Sequence, residues 1–364
     1  MQEEITKILE KPDWNQDDLV ALLQAPDEAF KIVLQRAVEV KQANVGNKTY
    51  LRGLLEFSNI CAKNCFYCGI RRSNGHVDRY FMSEEDMLKR VRYALKNRFA
   101  SVVLQSGERT DHTFTRQVTT LIEKIRALAP NEEIGITLSL GEQSREVYRE
   151  WHKAGANRYL IRIEASNRQL YEKLHPNDQI HSYNRRIEAL YTLREEGYQT
   201  GTGVMIGLPF QTTEDLADDL LFMKNFDIDM VGMGPYIEHQ DTPLYQYRHQ
   251  LQSKTQRFNL SLRMVALLRI MMKDINIAAT TAMQALDKMG REKAIKFGAN
   301  VIMPNLTPVR YRDGYLLYED KPCLDEEAEE CQQCLEHRIA MAGDKVAYGE
   351  TGTSKHYTLR TQKK

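Results

Sequence analysis

The sequence predicts an α/β fold, a (β/α)8 TIM-type barrel with N-terminal helices before it and a short C-terminal tail after it. Short apolar, β-branched runs recur from residue 54 onward, and eight of them can be marked. Polar stretches with helical apolar spacing separate those runs. Polar or unusual groups follow each run, where a barrel of this kind gathers its active site at the C-terminal ends of the strands.

Taken in order, residues 1–50 form an N-terminal helical segment expected to pack on the barrel, with helices over residues 1–45. Residues 51–310 hold the repeats. Strand one, LLEFS (54–58), runs into SNICAKNC; the helix SEEDMLKRVRYALKN follows, with Ser83 and Asp86 placed to cap its start. Strand two, SVVLQ (101–105), runs into QSGE, and strand three, GITLSL (135–140), into GEQS. Strand four, RYLIRIE (158–164), ends on Arg162 and Glu164. Strand five, TGVMIG (202–207), opens into GLPFQT, and Thr212 or Thr213 caps the helix after it. Strand six, MVGMGPY (230–236), runs into GPYIEH; strand seven, IAATTAM (277–283), closes on Thr280 and Thr281; strand eight, VIMPN (301–305), meets MPNLTP. Residues 311–364 remain as the tail. A doubly wound open sheet is the competing reading, since it also alternates strands with helices.

Among 364 residues, 50 Lys and Arg balance 50 Asp and Glu, so no overall basic field recruits nucleic acid or anionic lipid. A small molecule or another protein is the expected partner. The opening MQEEITKILEK has no basic stretch followed by an apolar run, and Arg269 interrupts the longest apolar stretch, MVALLRIMM. No membrane association and a cytoplasmic location are therefore expected. All six cysteines fall in two triplets, Cys61/Cys65/Cys68 and Cys323/Cys331/Cys334. Thiols clustered in this way in a large intracellular chain are metal ligands more often than disulfide partners.

The first triplet has the spacing C-x3-C-x2-C and stops at three. A structural zinc site closes with four N or S ligands, and His76 is the nearby fourth candidate. A 4Fe-4S cluster fully held by protein takes four cysteines, so three leave one iron open. An open iron can chelate an amine and a carboxylate of a second molecule and pass it an electron.

At CAKNCFYCGI the chain resembles the radical S-adenosylmethionine (SAM) superfamily, whose signature follows the first barrel strand. The resemblance implies a 4Fe-4S cluster on Cys61, Cys65 and Cys68, with SAM at the unique iron and reductive cleavage to a 5′-deoxyadenosyl radical. It also implies that Tyr67 lies by the adenine and that QSGE, with Gln105 and Ser106, replaces the superfamily's Gly-Gly-Glu turn. Glu164 would face the cofactor, a buried carboxylate being costly unless a cation pairs it. Arg185 on the following helix would fork the methionyl carboxylate, with Arg186 as its rival.

The chain further resembles the HydE family of [FeFe]-hydrogenase maturases from the N-terminal helices to about residue 345. LEFSNICAKNCFYCGIRR, AGANRYLIRIEAS, DMVGMGPYIEHQDTPL, ATTAM and GANVIMPNLTP carry that resemblance. It implies a small organometallic substrate, an iron complex with CO, CN and cysteine, or another sulfur-containing molecule. Thr137 joins the SAM contacts, and Arg52, Thr280, Thr281, Ala282, Met303, Tyr315 and Tyr318 would wall the substrate cavity. A reductant such as flavodoxin or ferredoxin, and other hydrogenase maturases, are the implied partners. The second triplet, CLDEEAEECQQC, resembles an auxiliary-cluster motif and implies a second Fe-S cluster; a zinc site using His337 is the alternative there. A methylornithine synthase-like mutase and a noncatalytic Fe-S or zinc-binding protein are the other functional readings.

Overall fold

The computed structural model describes residues 2–130, 133–325 and 332–362. Three helices come first, Gln2–Glu10, Gln16–Gln24 and Asp27–Asn44. The second begins at a reciprocal cap: the Asn15 side chain accepts from Asp18 N–H while the Asp18 carboxylate accepts from Asn15 N–H. The third lies along the later helix Lys254–Met271, the second packs mainly on the helix Thr213–Phe226 and the first on the third; Arg263 of Lys254–Met271 donates to the carbonyls of Leu23 and Ala25 and pairs with Asp27.

The strands in chain order are β1 (Lys48–Leu51), β2 (Gly53–Ser58), β3 (Ser101–Ser106), β4 (Gly135–Ser139), β5 (Arg158–Leu160), β6 (Gln199–Thr202), β7 (Met205–Ile206), β8 (Met230–Val231), β9 (Gly234–Pro235), β10 (Asn276–Ile277), β11 (Val301–Ile302) and β12 (Lys345–Val346). Seven of them form one parallel sheet in the order β10-β8-β6-β5-β4-β3-β2. The predicted eighth strand, β11, closes the ring. Parallel bridges join Ala278 to Val301 on one side and Leu54 to Asn305 on the other, with Leu54 N–H donating to the Pro304 carbonyl. The open-sheet alternative is thereby set aside.

Two predicted strands are each split in two. β6 and β7, like β8 and β9, are separated where Gly203 faces Gly232, and a side chain on Gly203 would sit 1.9 Å from the Gly232 carbonyl oxygen. The sheet pinches at that point, and the short β7-β9 ladder continues above it. Strand seven is also shorter than predicted. Thr280 is extended, and Thr281–Leu286 is a helix, in keeping with the good helix formers Ala282, Met283, Gln284, Ala285 and Leu286.

Residues 345–362 close the N-terminal end of the barrel. β12 pairs with β1, and the chain then runs under the strand starts. The Thr351 carbonyl accepts from Ser101 and Arg158, the Gly352 carbonyl from Arg52 and Asn276, and Gln199 accepts from Ser354 N–H. Backbone polar groups of the plug are satisfied by side chains that would otherwise be buried and unpaired. Gly352 has φ +62°, and a side chain there would meet the Tyr50 ring at 2.6 Å.

The final helix, Lys355–Gln362, is anchored by His356, 2.6 Å from Asp227 and 3.0 Å from Asp274. Its bond to Asp274 leads the effects that raise the His356 pKa, and Asp227 adds to it. A raised histidine pKa stabilises the fold at low pH, and that contribution is lost as pH rises through the folded value. Replacing His356→Gln should lower the unfolding free energy by about 1 kcal/mol near pH 6 and have little effect near pH 9. Urea unfolding of both proteins across that range measures it; an equal loss at both ends would contradict the assignment.

Candidate active site

Beyond β2 the chain makes an excursion over residues 59–80 and returns at Phe81, which bridges antiparallel to Ser58. Arg79 braces this loop from within, its guanidinium donating to the carbonyls of Asn59, Ile70, Arg71 and Asn74. Cys61, Cys65 and Cys68 project from it into the mouth of a barrel cavity of about 350 Å3. The Cys61 sulfur accepts the Glu108 N–H at 3.3 Å. That approach requires Gly107, where a side chain would come within 2.4 Å of the Ile60 carbonyl oxygen.

The three thiols are half-buried and close enough to repel one another as thiolates. Burial first, then Cys61, pushes the Cys65 pKa up to about 12, and burial also raises Cys61 and Cys68. Three thiolates in one such place need a strongly cationic partner, which an iron-sulfur core provides. The fourth zinc ligand considered above does not face them: His76 is 80 % exposed and bonds Asp241 at 3.0 Å.

Beneath the loop lies a buried charge network. Lys63 reaches Glu108 and Glu142, both at 3.1 Å, and donates to the Ile180 carbonyl. Arg186 bonds Glu142 at 2.6 Å and the Arg162 carbonyl at 2.5 Å. Burial opposes the Glu142 charge, but Arg186 and Lys63 outweigh it and hold that carboxyl below its ordinary pKa. At Glu108 burial prevails and the pKa rises. Gly141, at φ +75°, makes room for the Glu108 carboxylate, 2.2 Å from where a side chain would begin.

The expected arginine and its rival have different surroundings. Arg186 faces the cavity and is buried, whereas Arg185 points outward, with 48 % of its side chain exposed and its Nε 3.6 Å from Glu142. Neighbours on a helix differ by about 100° in direction, so only one of the pair can face inward.

The other expected residues fall into two levels. Tyr67, Gln105, Ser106 and Glu164 line the upper cavity with the cysteines. Glu164 sits at φ +65°, a conformation costly for a side-chain-bearing residue, and is paired with Arg162 at 2.9 Å. The Tyr67 hydroxyl is 3.2 Å from Nε2 of His175. Because His175 Nδ1 lies 2.8 Å from the Tyr171 carbonyl, it must donate there, so Nε2 accepts from Tyr67. Burial pushes the His175 pKa down to about 3 and keeps the ring neutral.

Thr280, Thr281, Ala282, Met303, Tyr315 and Tyr318 share the wall with Arg291 and with Lys321, which pairs with Glu56 at 2.7 Å. Thr137 lies lower on β4, fully buried, its hydroxyl without a partner. Arg52, expected on the substrate wall, is instead 1 % exposed beneath the cavity, spanning the Met230 sulfur and the Gly352 carbonyl of the basal plug.

In the second triplet, Cys323 has φ +64° and its carbonyl accepts from Arg312 at 2.7 Å. Cys334 is exposed on the helix Gln332–Met341. Cys331 lies outside the described residues.

Comparison with known proteins agrees with this geometry. The Radical SAM superfamily profile matches residues 55–223, the stretch from β2 through the helix Thr213–Phe226. The [FeFe] hydrogenase maturase subunit HydE of Thermotoga maritima is 43 % identical over 343 residues, 94 % of each chain. The chain belongs to the radical SAM superfamily. This radical SAM enzyme is also 26 % identical over 316 residues to 3-methylornithine synthase of Methanosarcina acetivorans, covering 86 % of this chain and 85 % of that one. The crystal structure of methylornithine synthase (PylB) superposes with a TM-score of 0.78 at 21 % identity, covering 98 % and 99 % of the two chains. The family implies a 4Fe-4S cluster and SAM, and the open three-thiol loop beside a largely apolar cavity that carries a few charged groups fits both.

Sequence reading missed Lys63, Glu108, Glu142 and His175 as a set. Their signal was available in part: charged residues inside the cysteine motif and at the ends of strands two and three. Removing one member should leave buried charge unpaired. Glu142→Gln is expected to destabilise the metal-free enzyme by about 3 kcal/mol and to lower iron retained after reconstitution. Urea unfolding and iron counting check both, and unchanged values would show that the network does not hold the loop.

Proposed function

We propose that this radical SAM enzyme acts in maturation of the [FeFe]-hydrogenase active site on a small iron complex carrying CO, CN and cysteine, or on a related sulfur-containing substrate. The observation that carries the reading is the 43 % identity to HydE over 94 % of both chains. Methylornithine synthase shares the fold, but its sequence relationship is far weaker. The cluster, when bound, supplies one electron that cleaves SAM to a 5′-deoxyadenosyl radical.

In this reading Cys61, Cys65 and Cys68 hold the cluster. Arg186, already anchored on Glu142, presents its guanidinium to the methionyl carboxylate, and Glu164 with Arg162 borders the cofactor. Tyr67, fixed by neutral His175, covers the adenine side, while Gln105 and Ser106 contribute further polar contacts and Thr137 offers its unpartnered hydroxyl from deeper on β4. The lower wall, Thr280 through Ala282 with Met303, Tyr315 and Tyr318, encloses the substrate. The enclosure keeps bulk water from a reactive radical. The enzyme draws its electron from a flavodoxin or ferredoxin and meets other maturases through its product. Cys323, Cys331 and Cys334 hold a second Fe-S cluster that takes no part in SAM cleavage.

Four experiments test the reading. The anaerobically reconstituted enzyme, reduced in the presence of SAM, should release 5′-deoxyadenosine, and Cys65→Ala should abolish this. Arg186→Met should raise the SAM dissociation constant by about tenfold or more, and Arg185→Met by less than about twofold; the reverse order would restore Arg185. Cys323→Ser should leave SAM cleavage within about twofold of the parent enzyme, a difference of under about 0.5 kcal/mol in barrel chemistry. Complementation of a strain lacking its HydE, with hydrogenase activity as readout, tests the substrate class: rescue supports the maturase, whereas no rescue together with methylornithine formation from lysine would favour the mutase.

A further inference from the structure

The charged groups lining the cavity are almost all paired within the protein. Lys321 pairs with Glu56, Lys63 with Glu108, Arg162 with Glu164, and Arg186 with Glu142 just behind the wall. Arg291 stands apart. It lines the cavity and is 7 % exposed, yet among the described residues no carboxylate bonds its guanidinium and its Nε has no acceptor. The adjacent carboxylate, Glu292, is taken by Arg338.

A buried guanidinium with no carboxylate bonded to it is costly for a folded chain to keep. Here the fold positions it deliberately. Arg291 follows Gly290, where a side chain would lie 2.1 Å from the Met283 carbonyl oxygen, so the short helix Gly290–Lys296 can press against Thr281–Leu286. That contact brings Arg291 to the wall of the cavity that Thr281 and Tyr318 also line. Burial opposes the Arg291 charge first, and Cys323 favours it. Hydroxyls and a planar cation converging on one part of a cavity match the acceptor geometry of a carboxylate.

We propose that Arg291 is the anion-recognising residue of this cavity, its guanidinium taking a carboxylate carried by the substrate, with the Thr281 and Tyr318 hydroxyls beside it. The inference rests on the cavity's role as a substrate chamber and adds the chemical class of the group recognised. The cysteine carboxylate of an iron-cysteine complex would meet Arg291, leaving the iron and sulfur end toward the adenosine.

The test compares ligands that differ only in the carboxylate. Reconstituted enzyme is titrated with an iron(II) dicarbonyl cyanide complex of L-cysteine and with the same complex of cysteamine; L-lysine and cadaverine form a second pair. The parent enzyme should prefer the carboxylate member of the pair it binds by about tenfold or more, Arg291→Gln should abolish that preference, and Arg291→Lys should keep part of it. Melting temperature and iron bound at Cys61/Cys65/Cys68 verify that each variant is folded and loaded. A preference that survives in Arg291→Gln overturns the proposal, as does its absence in the parent enzyme for both pairs. The proposal also falls if Arg291→Gln loses only iron attributable to the second triplet, because the arginine then serves Cys323. If the parent enzyme ignores both iron complexes but distinguishes lysine from cadaverine through Arg291, the maturase reading fails and the Arg291 assignment stands.

Discussion

The bond between Arg186 and Glu142, with Lys63 and Glu108 completing the network, is the constraint on which the active site depends. Lys63 lies inside the cysteine loop, Glu108 follows β3, Glu142 follows β4, and Arg186 comes from the helix Tyr183–Glu195. Four separate elements are tied to one buried knot. Charges so far from water are stable only while all partners stay in place, so the loop has one seat on the barrel. The same knot aims the Arg186 guanidinium inward and leaves the three sulfurs facing an open space.

Much of this was legible in the sequence because the barrel repeats itself. A β-branched run ending in polar residues has the same meaning each time, and the eight runs marked eight positions around the ring, even where the ladders proved short. The thiol loop was legible from spacing alone. What periodicity could not show was helical phase: Arg185 and Arg186 are adjacent and identical in chemistry, and only the structure shows that Arg186 is the one buried at the cavity. The depth of Arg52 was hidden for a related reason. It lies between β1 and β2, bonded to the Gly352 carbonyl, and that partner comes from a distant part of the chain that no local pattern places beneath the barrel.

The polar stretch 344–362 gave no such clue. Its residues look like a solvated tail, with few apolar side chains to demand burial. They are drawn in by hydrogen bonds from barrel side chains to plug carbonyls, an interaction that leaves no hydrophobic pattern to read. His175 was hidden in the same way, since a neutral buried imidazole orienting a tyrosine has no signature beyond its own letter.

Both ends of the chamber are finished by one continuous part of the chain. Tyr315, Leu317, Tyr318 and Lys321 line the cavity, with the Leu317 carbonyl accepting from Gly69 N–H of the cysteine loop, and Thr351 and Gly352 then seal the base. A change in the packing of this region therefore reaches the cysteine loop and the strand starts together, two places that the barrel itself holds a full strand length apart.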